Sequence, residues 1–205
     1  MIHFYRILSE SPNIRKISLM FEETDLPHEI KTVDVHADGG LDPEFGQVNP
    51  SGMVPAIVDL DTGVRLFESG AILFYLAEKT GKLLPKETKA RSEVMKWLIF
   101  EAANICPNLI EIHHYLLNDE GDTPNAIFER YKNNLVQYCS VLDQQLQHRE
   151  FIAGDYSIAD IAIYPWTVTL EDLAEISLDD YPHLNRWAKM LDQQISSRAN
   201  DSVLA

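Results

Sequence analysis

Residues 49–59, NPSGMVPAIVD, place Pro55 at the start of an apolar run. A proline there removes a hydrogen-bond donor from a sheet, so it is tolerated at an edge or at a special turn. A cis Val54-Pro55 bond is one explanation, and it would leave the Val54 N–H and C=O pointing outward, where an extended peptide could pair with them. An ordinary trans edge proline is favoured on frequency, because only about 5–6% of X-Pro bonds in folded proteins are cis.

The sequence on both sides of this stretch predicts a first domain of alternating strands and helices. MIHFYRIL (1–8) and HEIKTVDV (28–35) are typical of strands, and apolar residues at helical spacing lie between them. A helical turn near DPEFGQV (42–48) precedes VPAIVDLDTGVRLF (54–67), in which two apolar runs around an Asp-Thr-Gly turn predict a hairpin. SGAILFYLAEKTG (69–81) predicts a helix that ends at its last glycine. The predicted order is β-α-β-α-β-β-α.

The rest of the chain has only helical patterns. KLLPKETK (82–89) is a polar, proline-containing segment typical of a linker, which gives predicted domains at 1–81 and 90–205. Apolar residues from Val94 to Ile112 predict one long helix bent at Pro107, where a backbone donor is missing. Ser157 and Asp160 have capping-box spacing before a nearly all-apolar helix. The fold class is therefore α/β plus all-α.

The composition and net charge of the chain argue against several classes of function. The chain has 205 residues and 45% hydrophobic content, and its 17 Lys and Arg against 32 Asp and Glu give a net charge of -15, which opposes binding to nucleic acid or anionic membranes. No apolar run approaches the ~20 residues of a membrane helix, and no signal-peptide pattern opens the chain. Cys106 and Cys139 form no CxxC pair, which favours a reducing, cytoplasmic location. His113 and His114 have no convincing metal-ligand spacing, so we expect no metal.

Two strand-to-helix junctions carry polar groups suited to binding. In SESPN (9–13), Ser11 before Pro12 is typical of a helix N-cap followed by proline at the first helical position. At Glu68-Ser69, a helix N-terminus and a hydroxyl could bind a carboxylate while the glutamate holds an ammonium group. The structural alternative is strong for each residue alone, because serine is a common N-cap and glutamate is common near helix starts.

Three motifs in this order and spacing resemble the glutathione transferase superfamily across nearly the whole chain: NPSGMVPAIVD, LFESGAILFYLAEKTG and FIAGDYSIADIAIYPW. The resemblance implies a thioredoxin-like domain that binds glutathione as co-substrate, an all-helical domain that shapes the second-substrate pocket, and a homodimer. It also implies that Val54, next to Pro55, pairs through its backbone with the cysteinyl unit of glutathione. Glu68 and Ser69 would hold the γ-glutamyl end.

Members of this superfamily activate the glutathione thiol at the first strand-to-helix junction, where some classes have a cysteine that is absent here. A thiol with a reference pKa near ~8.5 is mostly protonated at neutral pH, and a donated hydroxyl proton would lower that pKa. Ser11 could donate to sulfur while its oxygen still accepts from the helix. Tyr5 and Ser9 are the alternatives, and both rank below Ser11.

The segment SPN resembles the TPN of the bacterial Nu-class, whose members reduce disulfides with glutathione and no catalytic cysteine. That likeness implies that Ser11 and Asn13 contact the sulfur and that Arg130, in AIFERY, reaches glutathione. Met53 stands where a lysine is expected and Leu41 falls near a glutathione-contacting glutamine, so affinity for the glycyl carboxylate is in question. We expect a glutathione-dependent disulfide reductase. The alternatives are conjugation of glutathione to small electrophiles and a non-catalytic interaction or regulatory protein on the same fold.

Overall fold

The computed structural model describes residues 1–35, 42–118 and 126–203, with side chains described as far as residue 197. Contacts within the chain define two compact units, Met1–Arg91 and Ser92–Ala205. The first unit contains the elements β1 (Ile2–Arg6), α1 (Pro12–Thr24), β2 (His28–Thr32), α2 (Pro43–Val48), β3 (Ala56–Asp59), β4 (Arg65–Phe67) and α3 (Ser69–Thr80). The predicted β-α-β-α-β-β-α order is therefore confirmed.

The four strands form one mixed sheet in the order β2-β1-β3-β4. Strand β1 pairs in parallel with β2, whereas the β1–β3 and β3–β4 pairs are antiparallel. Gly63 has φ +75° in the predicted Asp-Thr-Gly turn, a left-handed conformation that favours glycine. The helices α1 and α3 pack against each other, and each buries one apolar stripe: Ile14, Ile17, Leu19, Met20 and Phe21 in α1, and Ile72, Leu73, Leu76 and Ala77 in α3.

The described elements of the second unit are helical, apart from one isolated bridge between Phe151 and Gly154. Its elements are α5 (Cys106–Asn118), α6 (Ala126–Leu146), α7 (Ile158–Thr167), α8 (Leu170–Ala174), a 3-10 turn (Leu178–Asp180) and α9 (Pro182–Val203). Helix α4 (Thr88–Phe100) starts within the predicted linker and crosses the division between the units. The linker bounds 82–89 thus remain a prediction. Among the described residues, no helix is both long and apolar enough to cross a membrane.

The predicted irregularity near Pro107 is present, but it is displaced by one turn. A π-helical turn, Glu101–Ile105, joins α4 to α5 and lies immediately before Pro107. Proline has no N–H for the carbonyl four residues earlier, and its ring crowds that carbonyl, so the preceding turn widens. The π-helical turn interrupts the single long helix that the sequence predicts, and the bend at Pro107 itself stays a prediction.

The predicted capping box at α7 is confirmed. The Asp160 carboxylate accepts from the Ser157 N–H at 3.0 Å, and the Ser157 hydroxyl accepts from Ala159 N–H at 3.3 Å. All ten residues of α7 are buried, as its nearly all-apolar sequence indicates. Asp160 also accepts from the Ile152 N–H and the Trp187 indole, so this cap fixes two further segments of the unit. Burial raises the pKa of Asp160 to about 6, against the lowering effect of these hydrogen bonds.

Candidate functional site

Helix α1 begins as the sequence predicts. Ser11 has extended backbone angles (φ -79°, ψ 158°), its hydroxyl accepts from the Ile14 N–H at 3.4 Å, and Pro12 is the first helical residue. The hydrogen bond is long, and Ser11 is half-buried. The hydroxyl proton of Ser11 is not used by this cap, because the oxygen acts as the acceptor.

A three-residue cluster joins the start of α1 to the start of α3. The Lys16 ammonium donates to Asn13 Oδ1 at 2.8 Å and to Ser69 Oγ at 3.3 Å, and the Ser69 hydroxyl donates to Asn13 Oδ1 at 3.3 Å. Asn13 and Ser69 are 56 residues apart in sequence. The cluster therefore brings together two of the residues that the sequence predicted for glutathione binding and catalysis.

Sequence reasoning missed Lys16. Its side chain is buried, with 1% of its surface exposed, although lysine is among the residues that are least often buried. A signal was present in the sequence, because Lys16 lies three residues after Asn13 and four before the buried Met20. Residues at these spacings share a helix face, so Lys16 is a cation within the inward-facing stripe of α1.

Ser69 does not cap α3. The helix starts at Ser69 itself, Glu68 is the residue that precedes it, and Glu68 makes no side-chain capping hydrogen bond. The structural alternative for Ser69 as an N-cap was wrong, because its hydroxyl bonds to Asn13 and Lys16 instead. The cluster thus lies where two helix N-termini meet. Their N–H groups, their positive dipole ends and the Lys16 ammonium favour an anionic group at this position.

Glu68 has an unusual backbone conformation. Its φ is +71° and its ψ is 111°, a region that residues with a Cβ rarely adopt. Glu68 is exposed and directly precedes Ser69 in the sequence. Strained residues of this kind persist where the surrounding structure enforces them and are enriched at functional sites. The position of Glu68 next to a site that favours anions suits a ligand with adjacent positive and negative groups.

The Val54-Pro55 bond is cis. The preference for a trans proline was wrong, because frequency alone does not register the constraints of a particular turn. Val54 is half-buried and packs against the cluster of Tyr5, Phe45, Val48 and Ala56, whereas Pro55 is buried. Among the described residues, the Val54 N–H and C=O form no hydrogen bond to another backbone group.

The alternative thiol-activating residues differ in their surroundings. Tyr5 is buried with 8% exposure and stacks on Phe45 at a centroid distance of 5.6 Å. Burial, aided by Glu44, raises the pKa of Tyr5, so its hydroxyl stays protonated within a packed core. Ser9 is exposed. These observations agree with ranking both residues below Ser11.

Met53 and Leu41 depart from the Nu-class pattern. Met53 is exposed on 66% of its surface, whereas Leu41 lies outside the described residues. Arg130 is exposed near the start of α6 in the second unit. Its contact with glutathione therefore remains a prediction.

The cysteines are poor candidates for thiolate chemistry. Both lie in the second unit, where Cys106 is half-buried and Cys139 is buried, and neither forms a disulfide. Burial raises the pKa of Cys139 to about 12, which disfavours its reactive thiolate form. Across the part of the chain that the structure describes, no group of three or more His, Cys, Asp or Glu side chains could hold a metal ion.

Comparisons with known families and relatives agree on one assignment. Residues 10–79 match the family model described as glutathione S-transferase, N-terminal domain, and residues 105–194 match the one for its C-terminal domain. The disulfide-bond oxidoreductase YfcG of Escherichia coli K12 is 39% identical over 193 residues, which cover 91% of this chain and 88% of that protein. The disulfide-bond oxidoreductase YghU of the same strain is 33% identical, covering 90% of this chain and 69% of that protein.

Solved structures give the same result. A glutathione transferase from Pseudomonas putida, with one glutathione disulfide bound per subunit, has a TM-score of 0.82 at 33% identity and covers 92% of this chain and 85% of its own. A family member from Pseudomonas fluorescens, with two glutathione molecules bound, has a TM-score of 0.81 at 35% identity and covers 92% and 87%. With both family domains, extensive sequence identity and the predicted fold, this chain belongs to the glutathione transferase superfamily.

Proposed function

We propose that this protein is a glutathione-dependent disulfide reductase that uses no cysteine of its own. The observation that carries the proposal is the start of α1, where Ser11 caps the helix and Asn13 is bonded to Lys16 and Ser69. The first unit contains no cysteine at all. The similarity to two disulfide-bond oxidoreductases supports the same reaction.

Each of the proposed site residues binds a different part of glutathione. Ser69 and the N–H groups of α3 receive the γ-glutamyl carboxylate, and Glu68 receives its ammonium group. The backbone of Val54, before Pro55, pairs with the cysteinyl unit as an added strand. The sulfur then lies at the N-terminus of α1, where Ser11 and Asn13 donate hydrogen bonds to the thiolate. Arg130 supplies positive charge for a carboxylate of glutathione.

The reaction consists of two thiol-disulfide exchanges. The bound thiol loses its proton to solvent, and the thiolate attacks one sulfur of a substrate disulfide, which forms a mixed disulfide and expels the other sulfur as a thiolate that takes up a proton. A second glutathione thiolate attacks the glutathione sulfur of the mixed disulfide. The products are glutathione disulfide and two substrate thiols, so two glutathione molecules supply the two electrons.

Side-by-side assays test this function. We expect glutathione-dependent reduction of bis(2-hydroxyethyl) disulfide to exceed conjugation of 1-chloro-2,4-dinitrobenzene. Cys106→Ser and Cys139→Ala should each retain reduction, because the thiolate comes from glutathione. Dominant conjugation would instead identify a conjugating transferase, and glutathione binding without either reaction would identify a non-catalytic protein. Loss of reduction in a folded cysteine variant would contradict the cysteine-free mechanism.

We also infer a homodimer in the cytoplasm, with no nucleic-acid or membrane partner. The family resemblance supports the dimer, and the isolated cysteines support a reducing, cytoplasmic location. The net charge of -15 opposes nucleic-acid and anionic membrane partners. Size-exclusion chromatography with light scattering tests the dimer, for which the expected mass is twice the 23.4 kDa of one chain.

A further inference from the structure

The buried ammonium of Lys16 constrains its partners more strongly than a neutral donor would. Burying a charge is costly unless it is hydrogen-bonded. Two of the groups that satisfy Lys16 are the neutral Asn13 Oδ1, at 2.8 Å, and Ser69 Oγ, at 3.3 Å. Moving either oxygen away would leave a buried cation with fewer acceptors, so the ammonium resists displacement of both groups.

This constraint sets the orientation of the Asn13 side chain. A lysine ammonium can only donate hydrogen bonds, so the atom of Asn13 that faces it must be the amide oxygen. The Ser69 hydroxyl donates to the same oxygen at 3.3 Å. A flipped amide would place its NH2 group against the ammonium and lose both bonds. The NH2 group of Asn13 therefore lies on the side away from Lys16, in the first turn of α1.

We propose that Lys16 is a positioning residue for the glutathione thiolate and acts through Asn13. It holds the Asn13 amide with its N–H donors directed toward the sulfur and couples that amide to Ser69, which holds the γ-glutamyl carboxylate. The bound thiol releases its proton to solvent, and the thiolate accepts a hydrogen bond from Asn13. This inference rests on the proposed function, because it assigns Lys16 to the same glutathione site.

Lys16→Met tests the proposal, because methionine fills a similar volume without charge or donors. The readout is the pKa of the bound glutathione thiol, measured by ultraviolet thiolate absorbance across pH. We expect that pKa to rise by about one unit. Reduction at pH below the thiol pKa should then fall about threefold to fourfold in kcat with a smaller change in KM, because the greater nucleophilicity of a more basic thiolate partly offsets the loss of thiolate. Lys16→Gln, which keeps a donor for Asn13 Oδ1, should recover part of the lowered pKa. Lys16→Gln also replaces Lys16→Met in this test if the methionine variant does not fold.

A double-mutant cycle with Asn13→Ala separates action through Asn13 from a direct effect of the charge. If Lys16 acts through Asn13, Lys16→Met adds little to the thiol pKa in the Asn13→Ala background. A full, additive rise there would overturn the positioning role, and so would an unchanged pKa in Lys16→Met and Lys16→Gln. Lys82→Met is the matched control for loss of one positive charge, since Lys82 lies just beyond the opposite end of α3 from Ser69.

The thiol pKa can be measured without any disulfide reduction, so the two proposals fail in different ways. If the wild-type protein lowers the thiol pKa of bound glutathione but reduces no disulfide, the proposed function is refuted. The double-mutant cycle of Lys16 and Asn13 then decides the positioning role of Lys16 by itself. Wild-type protein that binds glutathione without lowering its thiol pKa would overturn the role of Lys16, whatever the activity.

Discussion

At the scale of single residues, Ser11 combines a structural role with a proposed catalytic one. Its oxygen caps α1, and its proton is the part that would reach sulfur. Ser11→Asp separates the two, because aspartate caps helices well but its carboxylate would repel a thiolate. We expect Ser11→Asp to keep the wild-type Tm, to lose disulfide reduction and to raise the pKa of bound glutathione. Thiolate absorbance and thermal unfolding measure these effects.

Ser11→Ala is the companion variant for this residue. It removes the cap and the donor together, so it should lower the free energy of unfolding by about 1 kcal/mol as well as lowering activity. Near-normal turnover and a normal thiol pKa in Ser11→Asp would contradict the catalytic role. Asn13 would then be the remaining donor at the α1 N-terminus.

Glu68 combines a backbone that favours glycine with a side chain that we propose binds the glutathione ammonium group. We expect both Glu68→Ala and Glu68→Gly to weaken glutathione binding by about 1–3 kcal/mol, because the ammonium would lose its charged partner. The glycine variant should be more stable than the alanine variant by about 1 kcal/mol, since φ +71° costs glycine less. Calorimetry and urea unfolding measure the two effects.

The predicted effects on glutathione affinity and on stability can be contradicted separately. Unchanged affinity in both Glu68 variants would mean that the ammonium group binds elsewhere. Equal stability of the alanine and glycine variants would mean that the backbone of Glu68 relaxes without cost once its side chain is shortened.

At the scale of elements, Asp59 ties the end of β3 to α3. It is fully buried and accepts from the Tyr75 hydroxyl at 2.5 Å and from the Lys79 ammonium at 2.7 Å. Burial alone would raise the pKa of this carboxyl, but hydrogen bonds from Lys79, Tyr75 and the Asp61 N–H lower it to about 2. Because the folded-state pKa lies below the unfolded value of about 3.9, the stabilisation is fully present above pH ~4 and is lost as pH falls through 2.

That shift corresponds to about 2.5 kcal/mol in the free energy of unfolding. We expect urea unfolding between pH 5 and 2 to show this loss, and Tyr75→Phe to reduce it, since the variant removes one donor without changing the ring. Identical acid dependence in wild type and Tyr75→Phe would show that the Tyr75 hydrogen bond does not lower the Asp59 pKa.

At the scale of the whole molecule, acidic charge dominates. Residues 1–91 contain 10 Lys and Arg against 14 Asp and Glu, and residues 92–205 contain 7 against 18, which together give the net charge of -15. A field of this sign raises the local concentration of cationic ligands and lowers that of anionic ones. The charge of the second substrate should therefore affect its rate of reduction.

We expect cystamine, a dication, to be reduced with a severalfold higher kcat/KM than the dianion 3,3′-dithiodipropionate at low ionic strength. Each rate is divided by the uncatalysed rate with glutathione, which removes intrinsic reactivity. The ratio should approach one at about 0.5 M salt, because screening shortens the range of the field to a few ångströms. A ratio that does not change with salt would mean that local contacts select the substrate.

The sequence by itself determined the order of the strands and helices, the cap at Ser11, the capping box at Ser157 and the family motifs. These features are local, because periodicity, caps and turns depend on residues only a few positions apart. The superfamily resemblance likewise placed Asn13 and Ser69 in one site, although no local pattern connects them.

Only the tertiary structure decided that the Lys16 ammonium turns inward between Asn13 and Ser69, that the Val54-Pro55 bond is cis and that Glu68 has a positive φ. The bonds to Ser69 span more than 50 residues and exist only because packing of α1 against α3 brings the two helix N-termini together. Glu68 lies between β4 and α3, and its positive φ opposes the preference of a residue that has a Cβ. Side-chain direction and backbone strain at these positions depend on groups that meet only in the folded chain, so no local pattern could specify them.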